Sequence, residues 1–389
     1  MKEGYTQTEL GVIPEDWEIK RLGEIFKLTS GKTKPNNLEE NQTEKKYRPV
    51  YGGNGIIGYS EKYNSSEEII LIGRVGEYCG VTRYINEICW ITDNALYTKV
   101  FFSEVNKKFL AMKLQYLDLS RLRNKGGQPL ISQNPIHSLA VSIPPIEEQN
   151  AIADCLSTWD EAIEKQQELI EAKEIRHKAL MQKLLSGKKR LPGFTDEWKF
   201  VRFKEFYSEN KKQLGNDKLE VLSVTKNGIV SQSEYFNKEI ASSDTSKYLI
   251  VEKNDLVVSG LNFWMGSFDV LSNFDIGVVS PAYKVFSLNK GFNNLYFKFL
   301  SKSKLMLDAM VGASIIGASI VRRNFDKEIL YEWTFKIPSL EEQKKIGEFL
   351  ENSSREIEIE KQKVEQLKEQ KKALMQKLLT GKVRLPLNN

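Results

Sequence analysis

The chain has 389 residues, 40% hydrophobic and 28% charged, with a net charge of +5. That length favours two or more domains over a single core. The mild charge excludes a strongly basic nucleic-acid module and leaves any such surface to a local patch or a partner's charge.

No run of 18 apolar residues is present to span a membrane, and "MKEGYTQTELGVIPEDW" lacks the apolar stretch of a secretory leader. Cys79, Cys89 and Cys155 are unrelated in spacing and form neither a disulfide framework nor a metal clip. A cytoplasmic, reduced, metal-free protein with no membrane contact is the expectation.

The first segment, 1–142, reads as mixed α/β. Short β-rich runs at Ile69–Ile72 and Trp90–Thr92 lie among Gly/Asn turns such as "YGGNGIIGY" at 51–59. A helical stretch follows at 106–117, then a Gly-bearing loop, "NKGGQPLISQNP", and a strand ending at a proline. Trp17 is assigned to the core.

From 143 to 190 the pattern changes to a long helix, expected over about 145–186. Ile152, Leu156, Trp159, Ile163, Ile170 and Leu184 form a heptad-like seam in an otherwise charged stretch. The helix begins after proline with "EEQ", acids suited to the positive end of the helix dipole, and ends at a glycine cap followed by Lys/Arg and Pro.

The segment 191–336 is again mixed α/β. It has β-rich runs at Leu249–Val251, Leu256–Ser259 and Val278–Val279, one helical stretch over 293–310 and a second core tryptophan, Trp198. The final segment, 337–389, repeats the long helix over about 339–380, with Ile346, Leu350, Ile357, Val364, Leu374 and Leu378 on its seam.

The repetition is close. "KALMQKLLSGKKRLP" at 178–192 and "KALMQKLLTGKVRLP" at 372–386 agree at 13 of 15 positions, 194 residues apart, and "IPPIEEQNAIADCL" at 143–156 returns as "IPSLEEQKKIGEFL" at 337–350 with the same offset. No insertion separates the two motifs, as a continuous helix requires, because one added residue rotates everything beyond it by about 100°. Between the globules the offset drifts: Trp17 answers Trp198 at 181, while "IILIG" at 69–73 answers "LVVSG" at 256–260 at 187. Two matched seams are expected to pair with each other, antiparallel. After "GKVRLP" the text that should follow is the start of a globule, so the chain is expected to be a cyclic object cut open, its ends meeting.

Catalytic signatures are missing. "TSGKT" at 29–33 has Phe26 where a phosphate loop needs glycine, and only His137 and His177 are available for a triad or a metal. No Asn/Asp-Pro-Pro-aromatic motif for amino-methylation of a base is present.

The motif "IPPIEEQNAIADCL", closed by "LMQKLLSGKKRL", resembles the signature of specificity subunits of type I restriction-modification systems, and it occurs twice. "LIGRVGEYCG" (71–80), "WITDNALY" (90–97), "GGQPLIS" (126–132), "DLVVSG" (255–260) and "VVSPAYKVF" (278–286) fit the same family, whereas "LNFWMGSFDV" departs from it. The resemblance implies an α+β fold with two target-recognition domains, 1–142 and 191–336, separated by two long antiparallel coiled-coil helices, 143–190 and 337–389, in a pseudo-two-fold repeat. It also implies a non-catalytic chain whose partners are double-stranded DNA, two methyltransferase subunits and, in complete systems, restriction subunits. S-adenosylmethionine, ATP and Mg would belong to those partners, with no cofactor in this chain.

Base-edge readout needs Arg/Lys for guanine and Asn/Gln for adenine on loops that enter a groove. The candidates are Lys32, Lys34, Asn54, Arg74, Asn94 and Gln128 in the first globule. In the second they are Lys226, Asn227, Asn262, Trp264, Tyr283, Arg322 and Arg323. The competing reading is a coiled-coil scaffold joining two protein-binding heads without DNA, separable by a mobility-shift assay with the methyltransferase subunits.

Overall fold

The computed structural model describes residues 3–124, 126–225, 228–236, 244–319 and 322–386; for 316–319 and 322–324 it describes backbone only. The chain divides into two compact units. One joins residues 1–166 to 363–389, and the other is the continuous stretch 167–362. The long helices, Ile146–Leu185 and Leu340–Leu378, contribute to both units and end within two residues of the expected bounds.

In the first unit a four-stranded antiparallel sheet has the order Phe26–Ser30, Ala95–Phe101, Ile69–Gly73, Thr82–Ile85. The run "IILIG" is apolar throughout because both of its faces are covered. Ile70 and Ile72 pack toward Phe109, Leu110 and Leu114 of the helix Lys107–Leu117. Ile69 and Leu71 point to a second cluster with Tyr51, Ile85 and Ile91, as the two-residue period of a strand dictates. Glu18–Arg21 pairs with Ala140–Ile143, and that second strand runs through two prolines into the long helix.

The second unit builds the same sheet in the same order: Tyr207–Asn210, Tyr283–Leu288, Leu256–Ser259, Phe268–Val270. Leu256 and Val258 face a cluster with Phe206, Phe286 and Phe297, while Val257 faces a separate one with Val251 and Val279. Lys199–Arg202 pairs with Thr334–Ile337, the strand that enters the second long helix. The expected helix over 293–310 is two helices, Asn294–Ser301 and Lys304–Gly312. The break has a local cause: Ser303 is extended (φ −85°, ψ 159°) and its hydroxyl accepts the Met306 N–H, which starts a new helix.

Within each unit the long helices run antiparallel. In the first, Lys371 Nζ meets Asp160 at 2.5 Å, and Ile152, Leu156 and Leu378 share one core. In the second, Lys173 Nζ bridges Glu356 and Glu360 at 2.8 Å each, His177 Nδ1 lies 3.1 Å from Ser353 Oγ, and Leu184 shares a core with Ile346 and Leu350. Ile170, Ile357 and Val364 are buried, whereas Trp159, Ile163 and Leu374 are half-buried. Both helices stop at a glycine in the left-handed region, Gly187 (φ 71°) and Gly381 (φ 70°), whose N–H groups bond back to Leu184 and Leu378.

Candidate nucleic-acid interface

The "EEQ" motifs do more than complement a helix dipole. Glu148 and Glu342, each 1% exposed, are the carboxylates on which the two units close. Trp17 Nε1 donates to Glu148 at 3.0 Å and Arg384 forks onto it at 2.5 and 2.7 Å. Trp198 Nε1 donates to Glu342 at 3.0 Å and Arg190 forks onto it at 2.5 and 2.7 Å. A buried carboxylate is tolerable only with such charge-assisted, bidentate partners. Arg384 also reaches Asp16 at 2.8 and 2.9 Å and holds that carboxyl below its usual range. The two ends of the chain therefore meet within the first unit, and Tyr5 Oη donates to the Gly381 carbonyl as well.

The next residue is equally tied. Gln149 donates to the Pro144 carbonyl and accepts from the Asn106 N–H; Gln343 does the same with Pro338 and Asn293. Asn106 and Asn293 in turn cap the helices that cover their sheets. One asymmetry interrupts the match. Lys113 is buried in the first unit, donating to Ser142 Oγ at 2.9 Å and to the Leu379 carbonyl, with Trp17 5.4 Å away. Burial lowers its pKa to about 7. The matching position in the second unit is Leu300.

This frame holds two sets of loops at one end of each sheet. In the first unit the loops are stitched by backbone hydrogen bonds. The Gly31 N–H bonds to Ala95, Lys32 to Ile91, Asp93 to Lys32, Arg74 to Asn94, Gly76 to Pro129 and Ile131 to Arg74, all at 2.9–3.1 Å. A Cβ on Gly31 would stand 2.1 Å from the Thr92 carbonyl, so the approach requires glycine. Lys32, Asn54, Asn94 and Gln128 are exposed on these converging loops, and Lys34 is exposed two residues beyond Lys32.

Arg74 is placed differently from its neighbours. It is half-buried, donating to Ser30 Oγ at 2.9 Å, and its Nε is enclosed without a hydrogen-bond partner. Sequence reasoning missed Arg83, whose guanidinium donates to the carbonyls of Gly53 (3.3 Å) and Asn54 (2.8 Å) and so fixes that turn. Nothing in the sequence marks a strand arginine as the support of a turn some 30 residues away.

In the second unit Gly260 donates to the Ala282 carbonyl at 3.0 Å, and a Cβ there would come within 2.2 Å of that oxygen. The following turn carries Asn262 (exposed) and Trp264 (half-buried), while half-buried Tyr283 pairs with Ser259 across the sheet. Arg322 and Arg323 lie on a hairpin strand, Arg322–Phe325, and only their backbone is described. Lys226 and Asn227 lie outside the described residues. Among the described residues no group of three or more His, Cys, Asp or Glu could hold a metal, and no helix is long and apolar enough to cross a membrane.

Two similar α/β units, each tied to the long helices by one buried carboxylate, define an internally repeated protein. The model of the type I restriction modification DNA specificity domain matches twice, over residues 14–174 and 195–369, and the chain belongs to that family. It is a specificity subunit, the component that recognises DNA sequence. It is 24% identical over 420 residues to the type I restriction enzyme MjaVIII specificity subunit of Methanocaldococcus jannaschii, covering 96% of this chain and 94% of that one. Over 142 residues it is 31% identical to the type I restriction enzyme EcoprrI specificity subunit of Escherichia coli, which covers 36% of this chain and 35% of the relative. The fold matches the crystal structure of the S subunit from M. genitalium (TM-score 0.57, 17% identity, 93% of this chain and 96% of that one).

Proposed function

We propose that each reader binds one half of a bipartite, asymmetric site in double-stranded DNA, through the loops bearing Lys32, Lys34, Asn54, Asn94 and Gln128 in the first unit. In the second unit the proposed reading residues are Asn262 and Trp264 in the turn after Leu256–Ser259, Tyr283 at the start of its strand, and Lys226, Asn227, Arg322 and Arg323. The readers are the exchangeable segments 1–142 and 191–336. The long helices pair as an antiparallel coiled coil related by a pseudo-two-fold axis. They set the spacing of the two half-sites and dock two methyltransferase subunits, with restriction subunits added in a complete system. The chain itself is non-catalytic and cytoplasmic; S-adenosylmethionine, ATP and Mg are used by its partners.

The observation that supports this reading best is the doubled closure. Glu148–Arg384–Trp17 and Glu342–Arg190–Trp198 repeat the same chemistry, with the helix residues at the same 194-residue offset, whereas the loops they support share almost no side chains. A symmetric frame suits two identical partners, and dissimilar loops make the DNA site asymmetric. Helices of about 40 residues span ~60 Å, which caps the separation of the readers at about 17 base pairs at ~3.4 Å each.

The test is a paired insertion of four residues, near Glu168 in one helix and near Gln362 in the other. Four residues add about 6 Å and nearly a whole helical turn. The half-sites are expected to stay unchanged while their spacing grows by one or two base pairs, read by methylation mapping on a library of spacers. An active paired mutant that still demands the original spacing would show that the helices are not the ruler.

A further inference from the structure

The turn after the central strand Leu256–Ser259 differs in chemistry from its counterpart in the first unit. In the first unit the turn after Ile69–Gly73 carries Arg74 and Glu77; in the second, the stretch from Leu256 to Ser267 contains no charged residue. Its tip nevertheless points apolar side chains at solvent: Leu261 is 66% exposed and Met265 50%. Isolated exposed apolar residues need no explanation, but two within five positions at the tip of a reading loop do.

The turn is built to hold them there. Phe263 is fully buried and packs edge-to-face on Phe325 at 5.0 Å, which anchors the loop. The Asn262 carbonyl accepts the N–H groups of Met265 (3.0 Å) and Ser267 (3.3 Å), closing one turn of 3₁₀ helix over Phe263–Met265. Ser259 Oγ accepts the N–H groups of Leu261 and Asn262 at 3.4 Å each. In such a turn residues three apart stand on one side, so the Asn262 side chain and the Met265 thioether form a single edge. The backbone of Asn262 is fully used, yet its side-chain amide caps nothing and has no partner among the described residues.

We infer that this edge reads an A·T pair in the major groove, the Asn262 amide pairing with adenine and Met265 with Leu261 covering the thymine C5-methyl. The inference rests on the specificity-subunit reading and deepens it. A side-chain amide offers adenine the donor and acceptor that its N7 and N6 edge needs, and the methyl beside it is the one apolar feature of that groove. A cation, which would favour guanine, is absent from the loop.

The experiment uses the full chain assembled with its methyltransferase subunits and duplexes carrying its mapped site. Each thymine of that site is replaced in turn by deoxyuridine, which removes only the C5-methyl. At one thymine of one half-site the substitution is expected to weaken binding about fourfold, the value of one buried methyl-sized group. In the double variant Leu261→Ala, Met265→Ala that difference is expected to vanish, while sensitivity to base changes in the other half-site persists. Both residues are exposed, so the fold tolerates the change. Equal methyl sensitivity in variant and parent, or none at any thymine, would overturn the inference. Loss of methyltransferase assembly in the variant would overturn it too, by showing that the apolar tip covers a protein. Failure of the parent assembly to prefer any sequence would instead remove the specificity reading, and this inference with it.

Discussion

The two units use the same strand order in their four-stranded sheets, an asparagine cap on the covering helix and the same carboxylate closure, and they differ most at the loop tips. In the closure the correspondence extends to individual atoms: a tryptophan Nε1 at 3.0 Å and an arginine fork at 2.5 and 2.7 Å on a buried glutamate. At the loops an Arg74-bearing turn in one unit corresponds to an uncharged Leu261–Met265 turn in the other. A frame closed on buried polar groups is constrained at each of them, because each one left unsatisfied costs stability. A loop tip whose exposed side chains, such as Leu261 and Met265, are not what anchors it is free to change what it presents.

The equivalence is open to attack at the closures. Arg384→Ala leaves Glu148 buried without its cation. The expected loss is about 2–4 kcal/mol, toward the low side for a broken buried pair because the arginine is a third exposed. Arg190→Ala should cost a similar amount at Glu342. Hydrogen exchange is expected to show the first substitution loosening residues 1–166 and the second loosening 167–362. Loosening of the opposite unit in either case would mean that the closures are not independent copies.

A smaller loss, about 1–3 kcal/mol, is expected from Gln149→Ala or Gln343→Ala. Each removes a bridge between the proline carbonyl before the long helix and the cap of the covering helix. Urea denaturation of the two variants should give matched shifts. Unequal ones would show that the frame is repeated in sequence but not in energetics.

A third effect is read as a slope in pH, at a buried position where the two units differ, Lys113 in the first and Leu300 in the second. Burial lowers Lys113 to about 7 from the usual lysine value of 10.5. Between those values the unfolded chain holds a proton that the folded chain sheds, so stability contributed at this site rises with pH across that window, by up to about 1.4 kcal/mol per unit. Denaturation midpoints followed from pH 7 to 10 should therefore rise in the parent relative to Lys113→Met. Parallel curves would show that the amine stays charged in the fold.

Much of this frame was legible in the sequence, and the reason is geometric. A long helix tolerates no insertion, so Ile152 through Leu184 and Ile346 through Leu378 kept one offset and gave themselves away. The strand "IILIG" could be read because both its faces are covered. The role of Glu148 could not, since its partners Trp17 and Arg384 lie 131 and 236 residues away and an acid at a helix start already has a local explanation. The break at Ser303 lies in the polar stretch "SKSK" at 301–304, which is flanked on both sides by apolar, helix-forming residues. At the loops the sequence named residue types able to meet bases, but placement came from backbone contacts: Gly31 on Thr92, Gly260 on Ala282, Arg83 on the Gly53–Asn54 turn. None of these leaves a mark on composition or period.

The central claim is that two independent readers share one frame, and a single exchange tests it most directly. Residues 198–336 are replaced by the corresponding globule of another specificity subunit, the chain is assembled with the methyltransferase subunits proposed as its partners, and the methylated sites are mapped. The expected result is a site in which one half takes the donor's sequence while the other half and the spacer length stay as they were. A change in both halves, or in neither, from a correctly folded and assembled chimera would contradict the account.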